Sequence, residues 1–314
     1  MTEKIVIALG GNALQSGRDE PTAEAQLKVV KKTSEKIAEI CDKGYEIAVV
    51  HGNGPQVGRI LLASETAKDV TPVMPFDVCG AMSQGYIGYH LQQCIKYALN
   101  KRNKNIPVVT VATQMIVEDD DPAFRNPTKP IGPFYSEEEA KRISAEKNYI
   151  MKEDSGRGWR RIVPSPMPKK IVEIHAIRKL WNSTVVISCG GGGIPVIERP
   201  DGLLQGVDAV IDKDFAAELL AEHVGADILL ILTEVEKVAI NFNKPDQHDI
   251  SFMNLEQADQ YCREGHFAAG SMLPKVKAAM KFVRANPEKR AVITSLDKAV
   301  EALEQKTGTT VTFA

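Results

Sequence analysis

Three glycine-rich loops each follow a short apolar run, and three lysines stand at the stiff ends of loops or elements. KIVIAL (4–9) runs into Gly10-Gly11-Asn12, YEIAVV (45–50) into His51-Gly52-Asn53-Gly54-Pro55, and TVVISC (184–189) into Gly190-Gly191-Gly192-Gly193. Glycine lets a backbone approach a ligand and turn its N–H groups inward, which suits a phosphate or carboxylate. One such loop is weak evidence, but three at strand ends point to one anion site at the carboxyl edge of a parallel sheet. Lys129 sits between Pro127 and Pro130, Lys213 follows Ala209-Val210-Ile211-Asp212, and Lys275 follows Gly270-Ser271-Met272-Leu273-Pro274 as a helix begins. Most lysines are solvated surface charges, whereas these three have stiff neighbours. Transfer of a phosphoryl group spreads negative charge over oxygens, and fixed cations with backbone N–H groups are its main catalytic need. Asp212 could hold lysine ammoniums in place, or it could cap a helix that starts near Asp214.

Other chemistries find little support. No G-x-x-x-x-G-K-[ST] occurs. Gly52-x-Gly54-x-x-x-Gly58 departs from a dinucleotide fingerprint by one extra residue, by Pro55 after the second glycine, and by lacking an acidic strand end for a ribose. The six histidines form no H-x-x-x-H or Cys/His set, so no metal ligand is assigned. His51 could contact a ligand, or end a strand and satisfy its ring on the backbone. Cys189 reads as a buried small hydrophobe. The Arg157–Arg161 cluster with Trp159 is either an anion contact or part of its own segment's ion pairing.

The elements that must position these groups alternate. Helix-like stretches at 22–43 (Leu27, Val30, Ile37 and Ile40 at helical spacing, Gly44 as C-terminal cap), 56–67, 79–100, 214–224 and 273–285 separate strand-like runs at 107–113, 184–189, 227–232 and 291–294, with a last edge strand near 309–313. This pattern predicts a mostly parallel sheet sandwiched by helices. Between Glu118 and Lys170 the rhythm breaks, with seven prolines, a helix-like acidic patch (136–145) and the Arg157–Arg161 cluster. That stretch predicts a small inserted subdomain, either a surface decoration or a lid.

Composition sets the outer bounds. A chain of 314 residues, 43% hydrophobic and 25% charged, is of ordinary globular make-up, and a net charge of −2 gives no pull toward nucleic acid or membrane. The opening MTEKIVIALGG is interrupted too soon for a signal peptide, and no run of about 18 apolar residues suggests a membrane span. Five scattered cysteines without a C-x-x-C pair predict reduced thiols in a cytoplasmic protein.

Taken together, ALGGNA (8–13), HGNGPQVG (51–58), AMSQGYIGY (81–89), NPTKPIGPFY (126–135), EDSGRGWRRIVPSP (153–166), SCGGGGIPV (188–196), GVDAVIDKD (206–214), NFNKPDQ (241–247) and GHFAAGSMLPKV (265–276) closely resemble the carbamate kinases of the amino-acid kinase superfamily. The resemblance covers the chain nearly end to end. It implies a three-layer α/β/α sandwich forming a single domain over 1–314, with an acceptor half of about 1–183, a nucleotide half of about 184–314 and an inserted lid of about 118–168. It also implies a cytoplasmic homodimer using ATP or ADP with magnesium, and interconverting carbamate and carbamoyl phosphate toward ATP in arginine fermentation. By position, Lys129 would be the lid lysine, Lys213 and Lys275 would bridge nucleotide phosphates, and Asp212 would orient them. Gly10, Gly11, Asn12, Gly52, Asn53 and Gly54 would serve the acceptor and transferred group, and Ser271 and Met272 the nucleotide. Magnesium would be held by phosphates and water.

Two rivals differ in what they require. A sister kinase for acetylglutamate, aspartate or uridylate would lack the NPTKP insertion. A non-catalytic nucleotide sensor would not need Lys129, Asp212, Lys213 and Lys275 together.

Overall fold

The computed structural model describes residues 2–15, 22–154 and 156–314. Ser155, in the EDSGRGWRR stretch, lies outside them. The main sheet has eight strands, ordered Phe252–Asn254, Thr309–Thr312, Arg290–Ser295, Ile228–Thr233, Lys4–Leu9, Glu46–His51, Val185–Ile187 and Val108–Thr110. Only the Arg290–Ser295 and Thr309–Thr312 neighbours are antiparallel, so the predicted, mostly parallel sheet is the one observed.

Strand periodicity builds the three layers. Ile5, Ile7 and Leu9 point to one face, where helices Ala23–Asp42 and Phe76–Lys101 cover them with Val30, Ile37, Leu91 and Ile95. Val6 and Ala8 point to the other, against Ala217, Leu220, Ala279 and Phe282 of helices Lys213–Val224 and Met272–Ala285. The central strands are apolar almost throughout because both faces are buried. Burial of that area is the main force holding the layers together.

Boundaries depart from the sequence reading where side chains intervene. The first helix begins at Ala23, with the Thr22 side chain accepting from the Ala25 N–H, and ends before Gly44, whose φ of +93° is left-handed. The run 107–113 is not one strand. Within it only Val108–Thr110 is strand, in the main sheet, and Gln114–Ile116 just beyond belongs to a separate four-stranded sheet. Thr113 lies between them: the Gln84 amide donates to its carbonyl at 3.0 Å and accepts from its N–H at 2.9 Å, and the same carbonyl accepts from the Ile194 N–H at 2.8 Å.

The proline-rich stretch has a fold of its own. Lys129–Tyr135, Trp159–Val163 and Met151–Glu153 form a three-stranded antiparallel sheet, and helix Glu137–Lys147 starts on a capping box of Ser136 and Glu139. This insertion sits on helix Gly54–Thr66 by backbone contact. A Cβ on Gly58 would overlap the Cα and N of Gly132.

Candidate active site

The carboxyl ends of the central strands carry the first two glycine loops. Gly10 and Gly11 follow Leu9, which lies beside His51 in the ladder, so the two loops start level with each other. Helix Gly54–Thr66 starts at the second loop, and helix Lys213–Val224 starts next to it, with the Lys213 side chain 3.4 Å from where a Gly52 Cβ would lie. Two helix N-termini thus converge there, and the positive ends of their dipoles favour an anion. Gly11 and Asn12 are exposed and Gly11 has open space at its Cβ position.

The lysines gather around two aspartates. Lys129 Nζ lies 2.6 Å from Asp212 Oδ2. Lys213 Nζ lies 2.6 Å from Asp214 Oδ1, and Lys275 Nζ lies 3.3 Å from Asp214 Oδ2. Asp212 therefore does two jobs: it caps its helix by accepting from the Asp214 N–H at 2.9 Å, and it holds Lys129. Sequence reasoning gave Asp212 the task of orienting Lys213 and Lys275. The carboxylate that touches both is Asp214, and it is buried.

Charge balance follows from this arrangement. Burial works to push the Asp212 carboxyl up, but Lys129 and then Lys213 outweigh it and hold the group well below the ordinary carboxylate range. Burial pulls the Lys213 ammonium below its ordinary value, with Asp214 opposing and Lys275 assisting. Three ammoniums face two carboxylates. The three lysine side chains are buried or half-buried, which strengthens the pull of their surplus charge on an incoming anion.

The remaining sequence-assigned residues are placed as follows. Asn53 is buried; its amide donates to Ser83 Oγ at 2.8 Å while its Oδ1 has no partner. The Asn12 amide donates to Glu234, at the end of the neighbouring strand. Ser271 is exposed at the start of helix Met272–Ala285, and its carbonyl accepts from Lys275 Nζ at 3.0 Å. Met272 packs against the core on the helix side of the sheet.

The third glycine loop has a different part. All of Gly190–Gly193 are buried, and a Cβ on Gly190 would lie 2.5 Å from His51 Nε2, while one on Gly191 would overlap the Asn53 amide. Close packing behind the second loop accounts for Gly190 and Gly191, and contact with Ile211 and Met115 for Gly192 and Gly193, so the loop buttresses the site from below. His51 hydrogen-bonds the Gly52 carbonyl through Nδ1 at 2.9 Å, and burial pushes it down to about 4, so the ring is neutral. Burial pushes the Cys189 thiol up to about 12, which leaves it unreactive.

Arg160 belongs to the insertion's own packing. Nε donates to the Gly132 carbonyl at 3.1 Å, Nη1 to Asp154 at 3.1 Å, and the guanidinium lies 5.1 Å from the Phe134 ring centroid. The described residues include no group of three or more His, Cys, Asp or Glu side chains placed to hold a metal ion.

Comparison with known proteins shows the family. The amino acid kinase family model matches residues 3–295. Carbamate kinase of Clostridium perfringens is 54% identical over 98% of this chain and 99% of its own, and that of Pyrococcus horikoshii is 53% identical over 99% and 100%. Among solved structures, carbamate kinase from Giardia lamblia bound to AMP-PNP superposes with a TM-score of 0.90 at 45% identity, covering 99% of this chain and 98% of that one. Matched by the family model over most of its length and sharing about half its residues with these relatives end to end, the chain belongs to the amino acid kinase family, in its carbamate kinase branch.

Proposed function

We infer that the protein transfers a phosphoryl group between ATP and carbamate, giving ADP and carbamoyl phosphate. The observation that carries this reading is the pairing of Lys129 with Asp212 beside Lys213–Asp214–Lys275, at the mouth of two glycine loops. Carbamate already presents an anionic oxygen, so the reaction needs no general base. His51 is neutral and engaged with the backbone, and Cys189 is buried, which fits a site that works by charge alone.

In the ATP-forming direction, a β-phosphate oxygen of ADP attacks the phosphorus of carbamoyl phosphate and the bond to the carbamate oxygen breaks. Negative charge then grows on the transferred oxygens. Lys213 and Lys275 stand on the nucleotide side to meet it, with Ser271 and Met272 at the head of the helix that carries Lys275, and Lys129 stands on the acceptor side. Gly10, Gly11, Asn12, Asn53 and Gly54 offer donors to the acceptor and the transferred group, and Gly52, whose N–H donates to the Leu9 carbonyl at 3.2 Å, lets the ligand approach the backbone beside Lys213. Carbamoyl phosphate is a mixed anhydride, which favours ATP formation. Magnesium would neutralise phosphate charge while held by those phosphates and water, because both aspartates are already engaged by lysines.

Residues 118–168 act as a lid in this account. Lys129 reaches Asp212 only while the insertion is seated on helix Gly54–Thr66. Ligands would favour the seated state and exclude water. Less hydrogen exchange across 118–168 with both ligands bound is the expected result, and equal exchange would make the insertion static.

A homodimer in the cytoplasm completes the reading. Val78, Met82 and Tyr89 share an exposed face of helix Phe76–Lys101, next to the edge strand Val108–Thr110. All five cysteines are free, as suits a reducing compartment. Among the described residues no helix is long and apolar enough to cross a membrane.

The deciding assay is direct. Purified protein with ADP, magnesium and carbamoyl phosphate should form ATP, with acetyl phosphate a poorer donor. Folded protein that forms none would end this assignment.

A further inference from the structure

A cleft of about 570 Å³ lies between the insertion and the strand Ile194–Glu198 with its partner Leu204–Gly206, apart from the lysine site. Tyr149, Ile150 and Arg161 line it from the insertion, and Ile197 and Val207 from the other side. Its size is that of a small-molecule pocket.

Arg161 is the unusual member. Its guanidinium lies 3.6 Å from the Tyr149 ring centroid and 5.5 Å from that of Phe76, so two aromatic faces fix its plane. Among the described residues it has no hydrogen bond and no carboxylate within ion-pair distance, and its Nη1 is buried without a partner. Burial pulls it below its ordinary value, and Glu65 and Asp208 oppose this only through longer-range charge. A flat, immobilised guanidinium that lacks a carboxylate is pre-organised for a bidentate oxyanion.

Two further features narrow the ligand. Apolar side chains make up most of the wall, so the anion must carry an apolar body. Asp208 and Asp119, the latter 4.0 Å from Arg199, also line the cleft and are exposed, and they disfavour a multiply charged ligand more than a singly charged one.

We propose that this cleft binds a singly charged carboxylate with an apolar body, and that occupancy strengthens the engagement of Lys129 with Asp212. The coupling follows from two backbone links. Val163, in the wall, accepts from the Thr128 N–H at 3.2 Å and pairs with Lys129 in the sheet. Pro164, also in the wall, accepts from the Val210 N–H at 3.0 Å, two residues before Asp212. A ligand that fills the cleft therefore braces the strand that carries Lys129 and the loop that leads to Asp212, and binding to one state shifts the population toward it. This kinetic consequence rests on the phosphoryl-transfer reading, whereas the binding does not.

Calorimetric titration of the full chain with phenylacetate, phenethylamine and phenyl phosphate tests the site without any turnover. Phenylacetate should bind at one site per chain, phenyl phosphate more weakly, and phenethylamine not at all. Arg161→Met should weaken phenylacetate by at least about tenfold, the usual loss of a charge-assisted hydrogen bond. Ile197→Trp, which fills the cleft from the opposite wall, should abolish binding while preserving basal ATP formation and Tm. Saturating phenylacetate should lower the KM for carbamoyl phosphate in the wild type and leave it unchanged in Ile197→Trp. No saturable binding, equal affinity in Arg161→Met, or competition with carbamoyl phosphate would overturn the site. An unchanged wild-type KM at saturation would overturn the coupling. Binding by a protein that makes no ATP would instead count against the kinase reading alone.

Discussion

Lys129 and Asp212 are 83 residues apart in sequence, yet their side chains meet at 2.6 Å and join the insertion to the first turn of helix Lys213–Val224. Asp212 Oδ1 caps that helix through the Asp214 N–H. The same carboxylate thus links the insertion's position to the element that carries Lys213.

Removing the insertion's cation should separate acceptor from nucleotide. Lys129→Ala is expected to raise the KM for carbamoyl phosphate by at least about tenfold, while ADP affinity stays within about twofold; losing a charged hydrogen bond is worth about 1.5–3 kcal/mol. Steady-state kinetics with each substrate varied, beside ADP titration of the same variant, checks it. An equal loss for both substrates would put Lys129 on the nucleotide.

The seating of the insertion can be tested far from any charge. In Gly58→Ala the new methyl group collides with the Gly132 backbone, where no flexible side chain can yield. Overpacking of this kind costs about 1–3 kcal/mol. The variant should keep ADP affinity, lose carbamoyl phosphate affinity, and show faster hydrogen exchange over 129–135. Unchanged exchange there would mean that the glycine contact does not hold the insertion.

Asp212 and Asp214 should respond differently to loss of charge. Asp214→Asn leaves the buried Lys213 and the half-buried Lys275 without their shared carboxylate, which should cost several kcal/mol of stability as well as turnover. Asp212→Asn keeps a competent helix cap and frees Lys129, so turnover should suffer more than Tm. Thermal melts and kcat on both variants distinguish the roles, and matching Tm losses would contradict the division.

Glu218 provides a pH test outside the site. Burial pushes it up to about 7 from an ordinary 4.5, with Lys281 at 2.5 Å opposing. A carboxyl raised in the folded state binds more protons there than when unfolded, so its contribution to stability falls as pH rises from 4.5 to about 7. Glu218→Gln should remove that slope and match or exceed the wild-type Tm at pH 8. A wild type that gains stability relative to the variant from pH 5 to 8 would refute it.

What the sequence revealed depended on how local each cause is. The layers follow from alternation of apolar runs, and Ile5, Val6 and Ile7 already separate the two faces by their period of two. Lys129, Lys213 and Lys275 stand out because proline or an apolar run stiffens their surroundings, and the fold brings all three to one place. Asp214 did not stand out. Its role arises only when helix Met272–Ala285 packs beside it and brings Lys275 within reach, and nothing in the D-K-D string ranks one aspartate over the other. The four-glycine loop misled for a related reason: its glycines answer to His51, Asn53 and Ile211, all distant in sequence. The strand within 107–113 is only Val108–Thr110, and the side chains that engage its end and the residues after it, Gln92 on the Thr110 N–H and Gln84 on Thr113, come from helix Phe76–Lys101, distant in sequence.

The central claim is that fixed lysine charge transfers the phosphoryl group. Single-turnover formation of ATP from saturating ADP and carbamoyl phosphate, compared between the wild type and Lys213→Ala, tests it most directly. Loss of one cation that acts on transition-state charge should lower the rate by about 100-fold, or about 3 kcal/mol, with Tm held within a few degrees. A folded Lys213→Ala protein that forms ATP at close to the wild-type rate would contradict the account and return Lys213 to a purely structural ion pair with Asp214.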